Sequence, residues 1–280
     1  MKYTERKPIP ALGNHLECFW FALSDEPPTG EPERVLPDGC IEWIFHVGAP
    51  FRRLNRANEW EMQPRSFVVG ELTRFILLQP TGPVHTMGVR FRPGGAYRFL
   101  PLPIHLLTDG FVSTGDLWGR DSQFLEEAVC EAHSDHERQR RVEAFLISCL
   151  IYSEPRRRFD AAIGAVMRSR GQTPVHQIAA AIGCSPRQME REFRARAGLS
   201  PKALARVIRF QNLLRLAGEG ALRQWSSVAL DGGYADQSHM VREFRELTGQ
   251  SPTEREASPA GALSRYFVSP ERIAELLGST

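Results

Sequence analysis

The chain has 280 residues, of which 42% are hydrophobic and 24% charged, and its formal net charge is +2 at pH 7. That length is sufficient for two domains that each bury a core, and the composition excludes a disordered or fibrous protein. The sequence has no apolar run long enough to span a membrane and no signal-peptide pattern, so it predicts a cytoplasmic protein.

Residues 1–152 are predicted to form a mainly β domain with appended helices. Four short runs rich in aromatic and β-branched residues, separated by Pro and Gly, predict antiparallel strands at 40–48, 65–72, 75–80 and 85–93. Between about 116 and 152 apolar residues recur at helical spacing and indicate two amphipathic helices. The second helix has an apolar stripe that suits either the domain core or a dimer contact. A cupin-like sheet or half-barrel is expected.

The rest of the chain is predicted to be helical. Residues 153–158 (SEPRRR) form a polar linker, residues 159–256 a helical domain, and residues 257–280 a C-terminal extension without an assigned role. Ser185, with Gln188 three residues later, and Asp236 are expected helix caps. The predicted elements of this region are a short helix, a glycine turn and a longer helix. This set occurs twice, and one long helix joins the two copies. This pattern predicts two helix-turn-helix units in an α+β protein.

The longer helices of the two units are near-copies. MEREFRARAGLSP (189–201) and MVREFRELTGQSP (240–252) are identical at 8 of 13 positions. An internal repeat indicates one structural unit used twice. Met and Phe recur at helical spacing in both copies and predict the buried stripe.

The opposite face of each longer helix is basic. It carries Arg187, Arg191 and Arg194 in the first copy, and Ser238, Arg242 and Arg245 with His239 alongside in the second. Residues 156–256 have a net charge of +7, residues 1–155 have −5, and 16 of the 17 basic residues in the former are Arg. For a single helix, an arginine-rich face would be explained by exposure to solvent alone. Two in matched register predict insertion into the DNA major groove, where Arg pairs with guanine.

The repeat carries a family resemblance. Residues 159–256, and especially GGYADQSHMVREFRELTGQSP, resemble the DNA-binding domain of the AraC/XylS family of bacterial transcription regulators. The resemblance implies two recognition helices in successive major grooves, about 34 Å apart. By motif position, it implies base contacts from Arg187, Glu190, Arg191, Ser238, His239 and Arg242. The chain departs from the family pattern at Met240, where Phe is usual, and after Ser251-Pro252, where an aromatic-Arg pair is missing.

Residues 1–152 resemble the N-terminal domain of a poorly characterised subset of AraC-type proteins, which implies a sensing domain but names no ligand. The candidate ligand-binding residues are Trp43, Phe45, His46, Arg90 and Arg92. Strand alternation places Trp43 and Phe45 on one face, and Arg90 and Arg92 together on one face of another strand. The structural alternative is that the aromatic residues are core and the arginines are salt-bridged or on the surface.

Three functions compete. The favoured one is a sequence-specific DNA-binding transcriptional regulator modulated by a small molecule. Its expected partners are double-stranded operator or promoter DNA and an unknown small-molecule effector. RNA polymerase and a second copy of the chain are further candidate partners. The alternative is a cupin-like metal-dependent enzyme or sensor fused to a regulatory DNA-binding domain.

Sequence features argue against that alternative. His46 and His85 lack the H-x-H and Glu of a cupin metal site, and no nucleophile motif or catalytic constellation is present. We therefore expect no enzyme, no cofactor and no metal. The third function is a DNA-repair protein with a metal-bound reactive Cys beside an AraC-like domain. It would need four thiolates, whereas only Cys18 and Cys40 lie near the N-terminus.

Overall fold

The structure is a computed structural model that describes residues 1–25, 31–150, 157–218, 225–257 and 270–278. A β-rich N-terminal part with three helices precedes an all-helical C-terminal part, so the predicted α+β architecture is confirmed. The first four linker residues (153–156) lie outside the described residues, as do 258–269 and 279–280 of the C-terminal extension. Linker residues Arg157 and Arg158 begin a helix.

Two antiparallel sheets face each other in the N-terminal domain. The larger has the strand order β1-β2-β9-β4-β7-β10 and the smaller β3-β8-β5-β6. Their strands are β1 (Lys2–Arg6), β2 (Leu16–Ser24), β3 (Glu33–Val35), β4 (Glu42–His46), β5 (Phe51–Leu54), β6 (Trp60–Met62), β7 (Ser66–Val69), β8 (Ile76–Pro80), β9 (Val84–Phe91) and β10 (Phe111–Ser113). The four predicted strands correspond to β4, β7, β8 and β9. Because both faces of the larger sheet are covered, its central strands are buried on both sides.

Three helices cover the outer face of the larger sheet: α1 (Thr114–Trp118), α2 (Arg120–Glu131) and α3 (Asp135–Cys149). The apolar stripe of α3, which includes Val142 and Leu146, is buried in this domain's own core. The indole of Trp43 reaches the same core, 4.8 Å from the ring of Trp118. The two helices predicted from the pattern between 116 and 152 are α2 and α3.

The C-terminal part contains both predicted helix-turn-helix units. Its helices are α4 (Arg157–Arg168), α5 (Val175–Ala181), α6 (Pro186–Ala197), α7 (Pro201–Gly218), α8 (Trp225–Asp231), α9 (Gln237–Thr248), α10 (Pro252–Ala257) and α11 (Pro270–Gly278). The first unit is α5 and α6, the second is α8 and α9, and α7 connects them. No helix among the described residues is long and apolar enough to cross a membrane.

The duplication extends to the packing of each unit. The rings of Phe159 and Phe193 meet edge to face at 5.5 Å and 73°, and those of Phe210 and Phe244 do so at 5.6 Å and 74°. Each ring of the second pair lies 51 positions after its counterpart in the first pair, which is the offset of the sequence repeat. Helix α4 therefore supports α6 in the same way that α7 supports α9.

The C-terminal extension has a structural role that the sequence pattern did not assign. Helix α11 packs on α7 and α4, and Ile273 and Leu277 are buried in the core of the first unit. These two residues are four apart, so they share one face of the helix. Helix α11 is thus part of the core of the first helix-turn-helix unit.

Candidate DNA-recognition surface and effector cavity

Helix α6 is fixed at both ends by its own sequence. The Ser185 hydroxyl accepts a hydrogen bond from the Gln188 N–H at 3.2 Å, as the capping pattern predicts. Gly198 ends the helix in the left-handed conformation at φ 82°. Met189 and Phe193 are buried against the core of the first unit. The opposite face of the helix is thereby turned outward in a defined orientation.

The outward face of α6 carries the predicted arginines. Arg187, Arg191 and Arg194 are exposed, and the Arg194 Nε lies 2.8 Å from Oε1 of Glu190 in a pair exposed to solvent. Within the described part of the chain, Arg187 and Arg191 make no ion pair. Two guanidinium groups of this helix are therefore available to an external anion or base.

Helix α9 repeats this arrangement. Asp236 caps it by accepting from the His239 N–H at 2.7 Å, and Gly249 ends it at φ 73°. Ser238, Arg242 and Arg245 are exposed, and these two arginines are also without an ion pair to any residue that the structure describes.

Glu243 ties α9 to the connecting helix α7, a contact that the sequence pattern did not indicate. Its carboxylate lies 2.9 Å from Nη2 of Arg209 and 3.3 Å from Nε of Arg206, both on α7. His239 is half-buried beside it, with Nε2 4.0 Å from the carboxylate. The outward arginines are thus carried by a helix whose inner acidic residue fixes its position.

The N-terminal domain donates hydrogen bonds to the C-terminal ends of both α6 and α9. Thr108 donates to the carbonyl of Gly198 at the end of α6 at 2.8 Å. The Phe75 N–H donates to the Leu247 carbonyl at 2.8 Å and Arg34 to the Thr248 carbonyl at 3.0 Å, at the end of α9. These donors satisfy carbonyls that a helix end leaves unpaired.

A cavity of about 60 Å³ lies between the two sheets. Neighbouring strands supply its polar residues in register, with Glu42 opposite Arg90 and His46 opposite Thr86. Between these pairs Gly88 leaves space for Trp20, because a Cβ on Gly88 would lie 2.0 Å from the indole ring. The cavity therefore has an aromatic wall with a charged end and a neutral polar end.

The charged end is an ion-pair cluster around Arg90. The guanidinium Nη1 lies 2.9 Å from Oδ2 of Asp38, and Nε donates to Oε1 of Glu42 at 2.6 Å. The Trp20 indole N–H also donates to Glu42, at 3.2 Å. Burial raises the pKa of the Glu42 carboxyl, although the charge of Arg90 opposes this shift.

The neutral end is built on His46. Its Nε2 lies 3.1 Å from Oε1 of Gln63 and its Nδ1 3.4 Å from the Thr86 hydroxyl. Burial lowers the pKa of the imidazole to about 4, against the smaller effect of the Gln63 hydrogen bond. His46 is therefore neutral near pH 7. Among the described residues, no group of three or more His, Cys, Asp or Glu could hold a metal ion.

The structure separates the five candidate ligand residues. His46 and Arg90 line the cavity. Trp43 and Phe45 share a face, as the alternation predicts, but it is the opposite face, in the core with the helices. Arg92 lies beyond the end of β9, does not line the cavity, and donates to the Gly13 carbonyl at 2.9 Å. Alternation back from His46 would have indicated the missed residue Glu42.

The cavity adjoins the contact between the domains. The segment from Leu36 to Cys40, between β3 and β4, lines the cavity with Leu36, Asp38 and Cys40. On its other side Leu36 joins the core of the second helix-turn-helix unit and Cys40 that of the first. The Pro37 carbonyl accepts from Gln211 of α7 at 2.5 Å. One short segment thus touches the cavity, both units and their connector.

Comparisons with known proteins agree with this geometry. A family model described as "Helix-turn-helix domain" matches residues 157–257, and one described as "Domain of unknown function (DUF6597)" matches residues 4–113. No protein among the curated sequences matches the chain.

Solved structures of ToxT from Vibrio cholerae are similar to most of the chain at low identity. A 1.65 Å structure is 10% identical with a TM-score of 0.49, covering 85% of this chain and 97% of that one. ToxT bound to (E)-4-(8-methylnaphthalen-1-yl)but-3-enoic acid is 12% identical with a TM-score of 0.47, covering 85% and 98%. Unsaturated fatty acid-bound ToxT is 14% identical with a TM-score of 0.44, covering 84% and 92%.

The two helix-turn-helix units and the match over residues 157–257 define a DNA-binding transcription regulator. Its helix-turn-helix domain lies in the C-terminal part of the chain.

Proposed function

We propose that this regulator reads DNA with the outward faces of α6 and α9, placed in successive major grooves, and that a small molecule between the two sheets modulates it. The observation that carries the proposal is the pair of matched helices on which Arg187, Arg191, Arg242 and Arg245 are exposed without an ion pair to a described residue. A structural role for these arginines would require partners within the chain.

The proposed contacts are the eight residues of the two faces. The arginines suit guanine O6 and N7 or phosphate, whereas Ser238 and His239 suit smaller contacts near the start of α9. Glu190 is a candidate acceptor for a cytosine amino group, and its pair with Arg194 also orients that arginine. The full set is Arg187, Glu190, Arg191, Arg194, Ser238, His239, Arg242 and Arg245.

Selection of bound sites from random DNA tests the reading faces. Arg191→Ala and Arg242→Ala should each weaken binding to the selected site by about 1–3 kcal/mol and relax the preference at one base position. Arg140→Ala is the matched control, because Arg140 is an exposed arginine on α3 in the N-terminal domain. If both test variants bind as tightly as the wild type, the proposed faces are wrong.

The effector proposal rests on the cavity's position against the interdomain contact. At about 60 Å³ it is smaller than the roughly 300–1,000 Å³ of ordinary ligand sites, so a larger ligand would have to separate the sheets. Such a movement would displace the segment from Leu36 to Cys40 and with it α7. Regulation then requires that the ligand bind the two arrangements with different affinity. A compound that raises the melting temperature by binding in this cavity, without changing operator affinity, would count against this mechanism.

We propose further that the N-terminal domain binds its ligand without transforming it. Recovery of an identified ligand unchanged after incubation, together with metal analysis of the purified chain, tests this proposal. RNA polymerase and a second copy of the chain are the remaining proposed protein partners. Sedimentation of the chain with and without its operator tests the second copy, and co-purification on promoter DNA tests the polymerase.

A further inference from the structure

The residue that follows the turn glycine is Cys184 in the first helix-turn-helix unit and Tyr234 in the second, where the turn has one residue more before the helix cap. Each follows a turn glycine of positive φ, Gly183 at 65° and Gly233 at 81°. Each backbone N–H donates at 3.0 Å to the carbonyl five residues earlier. The same backbone position therefore carries a small thiol in one unit and a phenol in the other.

In the second unit the Tyr234 ring fills the space between α7 and α9. It is buried, and its edge-to-face partner is His239, with centroids 5.4 Å apart. The guanidinium of Arg209 lies 4.9 Å from the ring centroid, a cation–π distance. Burial raises the pKa of the phenol and nearby Glu243 adds to this shift, while the hydroxyl makes no hydrogen bond to a described residue. Three side chains thus surround the phenol.

In the first unit the equivalent space is a half-open pocket of about 470 Å³ between α4 and α6. The three residues around Tyr234 each have a counterpart 51 positions earlier in the chain, and all three counterparts line this pocket. Arg158 corresponds to Arg209, Gln188 to His239, and Glu192 to Glu243. Phe159 and Phe193 supply apolar walls, and half-buried Cys184 lies where the phenol would begin. The first unit therefore has arginine and glutamate at two of the three equivalent positions, glutamine at the third, and an unfilled pocket where the second unit has a tyrosine ring.

We propose that this pocket binds a phenol-bearing small molecule, with its ring beside Arg158 and its hydroxyl donating to Glu192. Arg196 pairs with Glu192 on the same helix and so keeps the carboxylate in place as the acceptor. The ring would bury apolar surface against Phe159 and Phe193 and gain the cation–π attraction of Arg158. A bound phenol would join α4 to α6 as Tyr234 joins α7 to α9. This site lies in the DNA-binding domain, apart from the sheet cavity, and does not depend on the proposed effector.

The first test uses the full chain, 4-methylphenol as a probe of the tyrosine side chain, and alkylation of Cys184 followed by peptide mass spectrometry. At a probe concentration ten times its Kd, alkylation of Cys184 should slow about ten-fold. Cys130 and Cys149 are half-buried elsewhere and should react at an unchanged rate. If Cys184 is already unreactive without the probe, or reacts equally fast with it, the proposal is overturned.

Two variants separate the pocket from non-specific binding. 4-Methylphenol should raise the Tm of the wild type and of Cys184→Ser equally, but not that of Cys184→Tyr, in which the chain fills its own pocket. 4-Methylcyclohexanol, of similar size without a π system, should give a smaller shift. Equal shifts from the two compounds would overturn the phenol assignment, and a shift retained in Cys184→Tyr would overturn the site. None of these readouts involves DNA, so their failure is distinct from failure of the proposed function.

Discussion

At the residue scale, His46 gives a pH prediction whose sign is fixed by its burial. Its ordinary pKa of 6.5 falls to about 4 in the folded chain because burial disfavours the charged imidazole. The unfolded chain therefore binds a proton that the folded chain does not. The stabilising contribution of neutral His46 is complete above pH 6.5 and is lost progressively as the pH falls from 6.5 to 4.

We expect His46→Gln to show a smaller loss of stability over that range than the wild type, by on the order of a few kcal/mol at pH 4. Urea unfolding at half-unit pH intervals measures the difference. The control is His136→Gln, since His136 is exposed on α3 and the change there should leave the acid-side loss as in the wild type. If the free energy of unfolding falls equally with pH in His46→Gln and the wild type, His46 is not a buried, neutral histidine in the folded chain.

The cavity residues also include some that could not be predicted from the sequence. Alternation placed Trp43 and Phe45 on one face of β4, but it could not decide which face meets the smaller sheet. The reason is physical, because both faces of β4 are buried and both carry large side chains. The burial of Arg90 depends on Asp38, a loop residue 52 positions earlier, and no local pattern links the two.

At the element scale, the left-handed glycines that end or interrupt the helices allow a graded prediction. Gly183→Ala should cost about 1 kcal/mol of stability, because its φ of 65° disfavours a Cβ but no atom lies within 4 Å of one. Gly249→Ala should cost more, since its φ is 73° and a Cβ would lie 2.4 Å from the Phe75 ring of the N-terminal domain. Thermal unfolding of the two variants measures the difference. Equal losses would mean that Phe75 does not press on the end of α9.

Helices with caps and periodic apolar residues could be predicted from the sequence, whereas β2 and several short strands could not. Strand β2 has nine residues, but seven of them are buried, so it shows no alternation. The helices α6, α7 and α9 follow from caps, glycines and apolar spacing that each act within a few residues. Strands β3, β5 and β6 have only three or four residues, with charged side chains among them, so no alternation was visible. They exist because β8 offers a partner edge to β3 and β5, which is a property of the assembled sheet.

At the scale of the whole molecule, the domain order followed from the sequence and the interdomain contacts did not. Thr108 bonds to Gly198 across 90 residues, and Gln211 bonds to Pro37 across 174. These are single hydrogen bonds between loops and helices with no shared pattern. They nevertheless connect α6 and the connector α7 to the N-terminal domain, and a fixed arrangement of this kind gives the proposed operator a geometry that can be tested.

The connector α7 has 18 residues and so spans about 27 Å at 1.5 Å per residue, comparable to the roughly 34 Å between successive major grooves on one face of DNA. The Glu243 pairs hold α9 against α7, and we therefore expect a selected operator to contain two half-sites about 10 base pairs apart. Inserting about 5 base pairs between them turns the second groove to the far side, and about 10 restores its direction but moves it out of reach. Both insertions should reduce the affinity of one chain to that of a single half-site in an electrophoretic mobility-shift titration. Full affinity with the longer insertion would show that the half-sites are bound by separate, flexibly joined units. The prediction that α6 and α9 are held in a fixed arrangement would then be wrong.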